Sequence, residues 1–208
     1  MYMLFGTPGW GSVLVEAQLA TYGLPYVLEQ VGDLLRSPEA REKLVALNPL
    51  AQTPTLALPG GRIMTESAAI TLYLADITGK TTLVPGPDDP ERAEFLRWLV
   101  FLVANIYPTF TYADVPDRFA PAACADGFRA NVDAYQQKLW RQLEDEAATP
   151  WFLGPRLTAL DIYIAAMTRW RPRRLWFQDN CPRLFAIATR ADARPELAEV
   201  WRTNYPQE

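Results

Sequence analysis

The chain has 208 residues, enough for one large domain or two small ones, and is 50% hydrophobic and 12% aromatic, which supplies a packed core and excludes a disordered polypeptide. Its net charge of −4 gives no general attraction to nucleic acid or to an anionic membrane surface. No apolar run approaches the roughly 18 residues of a membrane span, and "MYMLFGTPGW" is not a leader, so the composition points to a soluble cytoplasmic protein with neither membrane nor nucleic-acid partners.

In chain order, "MYMLF" alternates like a strand, "GTPGWG" breaks it, and "SVLVEAQLATYG" reads as a helix with Ser12 as N-cap and Gly23 as its stop. "PYVLEQV" is a second strand. "SPEAREKLVAL" is a helix with Ser37 at the N-cap and Pro38 at the first helical position. "TPTLAL", the turn "PGG" and "RIMTE" form a hairpin, followed by a helix from Ser67 to about residue 77. Strands alternating with helices predict a parallel pair joined by a right-handed crossover, and the hairpin adds an antiparallel edge.

"GKTTLVPGPDDP" concentrates Gly, Pro and Asp, and strand signals stop after it, so the expected domains are residues 1–78 and 91–208 with a linker at 79–90. Beyond it, Phe95, Leu99, Leu102 and Ile106 share one helix face, as do Phe128, Val132, Tyr135 and Leu139. In "LTALDIYIAAM", Thr158 and Asp161 have the spacing of a capping box, and the helix they open is apolar on nearly every side, as an interior helix is. "RWRPRRLWF" interleaves arginine with tryptophan, and the two readings are a site for an anionic partner and an ordinary solvated helix exit broken at Pro172.

The chemistry is bounded by what is missing. Cys124 and Cys181 have neither disulfide-framework nor metal-ligand spacing, and there is no histidine, so no metal site is expected and the usual general base is absent. Catalysis must then rest on hydroxyls, amides, dipoles, or a substrate that brings its own nucleophile.

"NPLAQTPTL", "TESAAITLYLAD", the helical second half and "LTALDIYIA" together resemble a cytosolic glutathione transferase across essentially the whole chain. The resemblance implies an α/β thioredoxin-like N-terminal domain of order βαβαββα, an all-α C-terminal domain, a homodimer, and glutathione as co-substrate with no metal. It also implies that Pro54 is a cis proline and that the main chain of Thr53 pairs with the cysteinyl backbone of glutathione, as an added strand would. Ser67 opens a helix whose free N–H groups and dipole favour a carboxylate, and Glu66 can accept from an ammonium. The resemblance assigns this pair to the γ-glutamyl end of glutathione, with Gln52 as a neighbouring amide donor.

A glutathione thiol with a pKa of roughly 8.5 is only a few per cent ionised at neutral pH, so the enzyme gains by stabilising thiolate. The donor is expected in "GTPGWGS", where Gly9 or Gly11 stands at the position that carries Ser, Thr or Cys in other classes. The candidates are Ser12 and Thr7, with Trp10 as site wall or indole donor and the backbone N–H groups of Gly11 and Ser12 as alternatives. Trp10, Tyr107, Phe110 and Tyr112, the last three around Pro108, are the expected wall of a small hydrophobic electrophile's site. The first functional hypothesis is a glutathione transferase. The competitors are a non-catalytic binding or interaction protein of the same fold, and a specialised glutathione-dependent isomerase, peroxidase or lyase.

Overall fold

The computed structural model describes residues 1–206. Contacts within the chain resolve two compact units: Met1–Val84 together with the stretch from Ala191 onward, and Pro85–Arg190. The division at Val84 falls inside the Gly/Pro-rich segment. The last stretch, read from sequence as part of the second domain, groups with the first unit.

The first unit contains β1 (Tyr2–Gly6), α1 (Ser12–Tyr22), β2 (Tyr26–Gln30), α2 (Pro38–Val45), β3 (Thr55–Ala57), β4 (Ile63–Met64) and α3 (Ser67–Thr78). The sheet is four-stranded, in the order β2-β1-β3-β4. β1 runs parallel to β2 and antiparallel to β3, and β3 and β4 form the antiparallel hairpin. Along β1, Tyr2, Leu4 and Gly6 are buried while Met3 faces out, the alternation expected of a pleated strand.

α1 ends as its sequence predicts. Gly23 adopts φ 69°, its N–H reaches Ala20 O at 3.0 Å, and Leu24 N–H reaches Leu19 O at 2.9 Å. Its start differs from expectation, because the N-cap is Gly11 and Ser12 is the first helical residue. Ser37 does cap α2, accepting Ala40 N–H at 3.1 Å, with Pro38 following.

The second unit begins with α4 (Arg92–Phe101), which continues through a π-helical segment, Leu102–Ile106, into α5 (Tyr107–Asp114). Pro108 supplies the cause: it has no N–H to return to the carbonyl four residues back, and its ring crowds that carbonyl, so the preceding turn widens. α6 (Ala125–Glu146) does not bury the whole face read from sequence, since Tyr135 is 50% exposed. The buried stripe is Gln136, Leu139, Trp140 and Leu143. The polar Gln136 is accommodated there because its Nε2 donates to Thr109 Oγ1 at 2.5 Å, and that hydroxyl donates to Ile106 O.

α7 (Ala159–Met167) is buried on every side. Asp161 closes the capping box: Oδ2 accepts from Thr158 N–H at 2.6 Å and from the Thr158 hydroxyl at 3.1 Å, while Oδ1 accepts Phe152 N–H at 2.8 Å. α8 (Arg174–Asn180) and α9 (Pro182–Asp192) follow. The α9 N-terminus is capped from α6, with Glu144 accepting Arg183 N–H and Leu184 N–H at 2.9 Å each. α10 (Ala198–Asn204) belongs to the first unit.

Three of the four arginines of "RWRPRRLWF" bond within their own unit, and Arg173 is exposed. Arg171 pairs with Asp114 at 2.6 Å and Asp133 at 3.5 Å, and Arg169 and Arg174 both donate to Ala165 O. No helix among the described residues is long and apolar enough to cross a membrane.

Burial raises the Asp161 carboxyl from 3.8 to about 6, against the opposing pull of its hydrogen bonds. Folding therefore takes up a proton between those values. The resulting stability is fully present below the unfolded pKa and is lost as pH rises through about 6. Asp161→Asn, which turns an amide NH2 toward donors, should cost about 1–3 kcal/mol in urea unfolding near neutral pH. The gap between wild type and variant should widen as pH falls toward about 4, and a gap independent of pH would refute the titration.

Candidate functional site

Strand register brings the predicted site segments to one end of the sheet. β1 ends opposite the start of β3, with Phe5 paired to Thr55, and β2 ends beside it, with Gly6 paired to Gln30. Leu56 pairs with Met64, so β4 also ends here, and α3 starts just beyond. The loop 7–12, the stretch 48–54 and Glu66-Ser67 therefore share the edge where the carboxyl ends of β1, β2 and β4 meet. That edge is the usual ligand position in open α/β sheets.

In loop 7–12 the hydroxyls are already committed. Thr7 Oγ1 donates to Gly32 O at 2.6 Å, and Ser12 Oγ donates to Thr7 O at 3.2 Å. Ser12 is fully buried, lying so close to β1 that a Cβ on Gly6 would sit 2.2 Å from both Ser12 Cβ and Oγ. Trp10 is half-buried and packs, with Phe5 and Val31, on Leu34, Ala40, Leu44 and Ala51. Gly11 N–H and Ser12 N–H, at the start of α1, meet no protein acceptor among the described residues.

The stretch before β3 is organised by Asn48, which the sequence reading did not single out. Its Nδ2 donates to Gln52 O and to Thr55 Oγ1, both at 3.0 Å, and its Oδ1 accepts Leu50 N–H at 3.1 Å. Thr55 Oγ1 closes the ring by donating to Gln52 O at 2.9 Å. This fixes the backbone on both sides of Thr53, which is buried, as is Pro54. The Thr53–Pro54 peptide is cis. The Gln52 side chain is exposed. The Asn-Pro dipeptide at 48–49 was the available signal, since asparagine ahead of proline favours turns.

At α3, Glu66 is the N-cap residue, with φ 66° and ψ 102°, a region that residues with a Cβ seldom occupy. Its carbonyl accepts Ile70 N–H at 2.9 Å, but no side chain among the described residues caps the first turn. The N–H groups ahead of Ile70 thus lack a capping side chain, with Ser67 as first helical residue and the exposed Glu66 carboxylate beside them.

The expected electrophile residues of the helical unit divide. Tyr107 and Phe110 meet edge to face at 6.3 Å, and both pack on Trp170, at 5.7 and 5.0 Å. Tyr112 turns instead to Phe119, at 4.7 Å. Trp170 was read from sequence only as part of the arginine-rich segment.

The chain matches the family model for the glutathione S-transferase N-terminal domain over residues 15–77. An uncharacterized GST-like protein of Escherichia coli K12, YncG, is 42% identical over 205 residues, spanning 98% of each chain. The chain therefore belongs to the glutathione S-transferase family. A solved sphingomonad glutathione S-transferase complexed with glutathione is 26% identical with a TM-score of 0.69, covering 97% of this chain and 98% of its own. A glutathione transferase homologue from Sulfitobacter, solved with bound glutathione, superposes with a TM-score of 0.83 over 96% of each chain at 24% identity. The shared architecture is the mixed four-stranded N-terminal sheet with its helices and a largely helical remainder.

The Gly6–Ser12 contact makes a specific demand. Gly6→Ala should lose about 1–3 kcal/mol of stability through overpacking. Adding Ser12→Gly, which removes the atoms that the new methyl meets, should recover most of the loss in chemical denaturation. Additive losses in the double variant would show that the close approach is not what requires glycine.

Proposed function

We propose that the chain is a glutathione-dependent transferase that binds glutathione along this sheet end and presents its sulfur, as thiolate, to a small apolar electrophile. The observation that carries the reading is the uncapped start of α3 beside a Glu66 held in a left-handed conformation, at the same sheet end as the ordered Thr53 backbone. A γ-glutamyl group carries a carboxylate and an ammonium on one carbon. The first suits the α3 N–H groups and Ser67, and the second suits Glu66. Thr53 would pair with the cysteinyl main chain, and Gln52 would add an amide. Together these contacts would direct the sulfur toward loop 7–12.

Because both loop hydroxyls donate within the protein, the reading favours Gly11 and Ser12 N–H, reinforced by the dipole of α1, as donors to the thiolate. Lowering the thiol pKa by about two units needs about 2.7 kcal/mol. One or two hydrogen bonds to a charged acceptor, at about 1.5–3 kcal/mol each, are of that size. The thiol proton leaves to solvent. The thiolate then forms the new carbon–sulfur bond as the electrophile's leaving group departs with its electron pair, or as its electron-poor double bond takes the charge. Thr7 and Ser12 hold the loop, and Trp10 walls it. In the helical unit, Tyr107 and Phe110 form an aromatic cluster with Trp170, of a kind that suits an apolar ligand. The active species is proposed to be a homodimer, to be checked by sedimentation.

The test is retention on immobilised glutathione together with conjugation of an aromatic halide. Ser67→Ala and Glu66→Gln should each weaken glutathione binding about tenfold in calorimetry, the size of one good charge-assisted contact. Wild-type affinity in both would remove the γ-glutamyl assignment. Titration of the bound thiol in Ser12→Ala and Thr7→Val separates the donors: a rise of about one unit or more in either returns its hydroxyl to that role, whereas backbone donation predicts a smaller change. The hydroxyls' internal bonds also favour one alternative, a glutathione-binding module without transferase turnover. Retention without conjugation selects it.

A further inference from the structure

Asn204 ends α10, far along the chain from loop 7–12, yet it belongs to the same compact unit and its side chain reaches that loop. Its Oδ1 accepts Gly9 N–H at 2.9 Å. Its Nδ2 donates to Glu16 Oε2 at 2.8 Å and to Val200 O at 2.9 Å. On the far side of Glu16, the Tyr26 hydroxyl donates to Oε1 at 3.1 Å. Asn204 and Glu16 are 5% and 4% exposed, so these bonds are made out of water.

The partners fix the orientation of the amide. A carboxylate and a carbonyl can only accept and both require the NH2 group, whereas the Gly9 N–H can only donate and requires the oxygen. Gly9 is also held sterically. Its φ is +78°, and a Cβ there would come within 3.3 Å of Asn204 O and 3.5 Å of the Tyr205 ring. Gly9 lies directly ahead of Trp10 and of the N–H pair at the start of α1, so a displacement at Gly9 passes straight into those groups.

We propose that Asn204 is a positioning residue for the thiol-binding loop: it holds Gly9 by its carboxamide oxygen, is itself oriented by the buried Glu16 carboxylate, and so sets where Gly11 and Ser12 N–H point. The inference rests on the glutathione reading for what the loop does, and on the geometry of α10, α1 and β2 for what holds it. Truncating Asn204 removes one of the two side-chain donors to Glu16 and the carboxamide oxygen that accepts Gly9 N–H, so the segment ahead of Trp10 loses the tie that sets its direction.

The experiment compares wild type with Asn204→Ala by amide hydrogen exchange at Gly9, by ultraviolet titration of the thiolate in bound glutathione, and by steady-state kinetics. Gly9 exchange should accelerate at least about tenfold, and the bound-thiol pKa should rise by about one unit. kcat should fall about tenfold below that pKa while KM for glutathione changes less than about threefold, because the γ-glutamyl end is held elsewhere. Faster Gly9 exchange with an unmoved thiol pKa overturns the inference, since a merely structural tether would behave in that way. If Asn204→Ala does not fold, Asn204→Ser replaces it: a serine hydroxyl can bond back to Val200 O but cannot span to Gly9, and the same shifts are required of it. A wild type that does not lower the pKa of added glutathione defeats the glutathione reading itself, and with it this role for Asn204, before any variant is compared.

Discussion

The antiparallel pairing of β1 with β3 is the contact on which the site depends. Leu4 faces Leu56 across it, both fully buried, and a slip of one residue would turn each strand's apolar set toward the wrong face. With that register fixed, Phe5 stands opposite Thr55, and the chain leaving β1 must run beside the chain entering β3. The segment proposed for the sulfur and the segment proposed for the glutathione backbone are therefore adjacent as a result of core packing. The hairpin then delivers the start of α3 to the same edge.

Where regular ladders end, buried amides and carboxylates take over. Asn48 ties residues 50, 52 and 55 into one turn, Asp161 joins Thr158 to Phe152, and Glu144 supplies acceptors for the first turn of α9. Each of these side chains meets several backbone or hydroxyl groups in buried or partly buried positions, and a group left buried and unpaired costs roughly 1–3 kcal/mol. A residue that satisfies several groups at once specifies one loop conformation, because any rearrangement strands more than one of them.

Much of this was legible in the sequence, and the exceptions have physical causes. The order of strands and helices, the stop at Gly23, the cap at Ser37 and the capping box at Asp161 each rest on local chemistry that a short window contains. Ser12 was read as an N-cap because serine before an apolar run usually is one. Instead Ser12 lies against β1 at Gly6, whose missing side chain leaves room for it, and that contact joins residues on different elements. The α6 stripe was misplaced at Tyr135 because Gln136 reads as polar and outward, and only Thr109 on another helix makes it an interior residue. Asn204 had no signal at all, since Gly9 and Glu16, which it ties together, lie near the other end of the chain.

The grouping of the stretch after Ala191 with Met1–Val84 has a consequence for biosynthesis. Pro85–Arg190 leaves the ribosome as one uninterrupted length and has all of its own contacts available at once. The sheet-bearing unit does not, because α10 and the Asn204 carboxamide are translated after the whole of that length. At about 5–20 residues per second, the intervening segment imposes a delay of many seconds, longer than the folding time of most small domains. Through that interval the Glu16 carboxylate and the Gly9 N–H are without the Asn204 carboxamide, so the loop ahead of α1 is among the last parts of the unit to gain its full set of bonds.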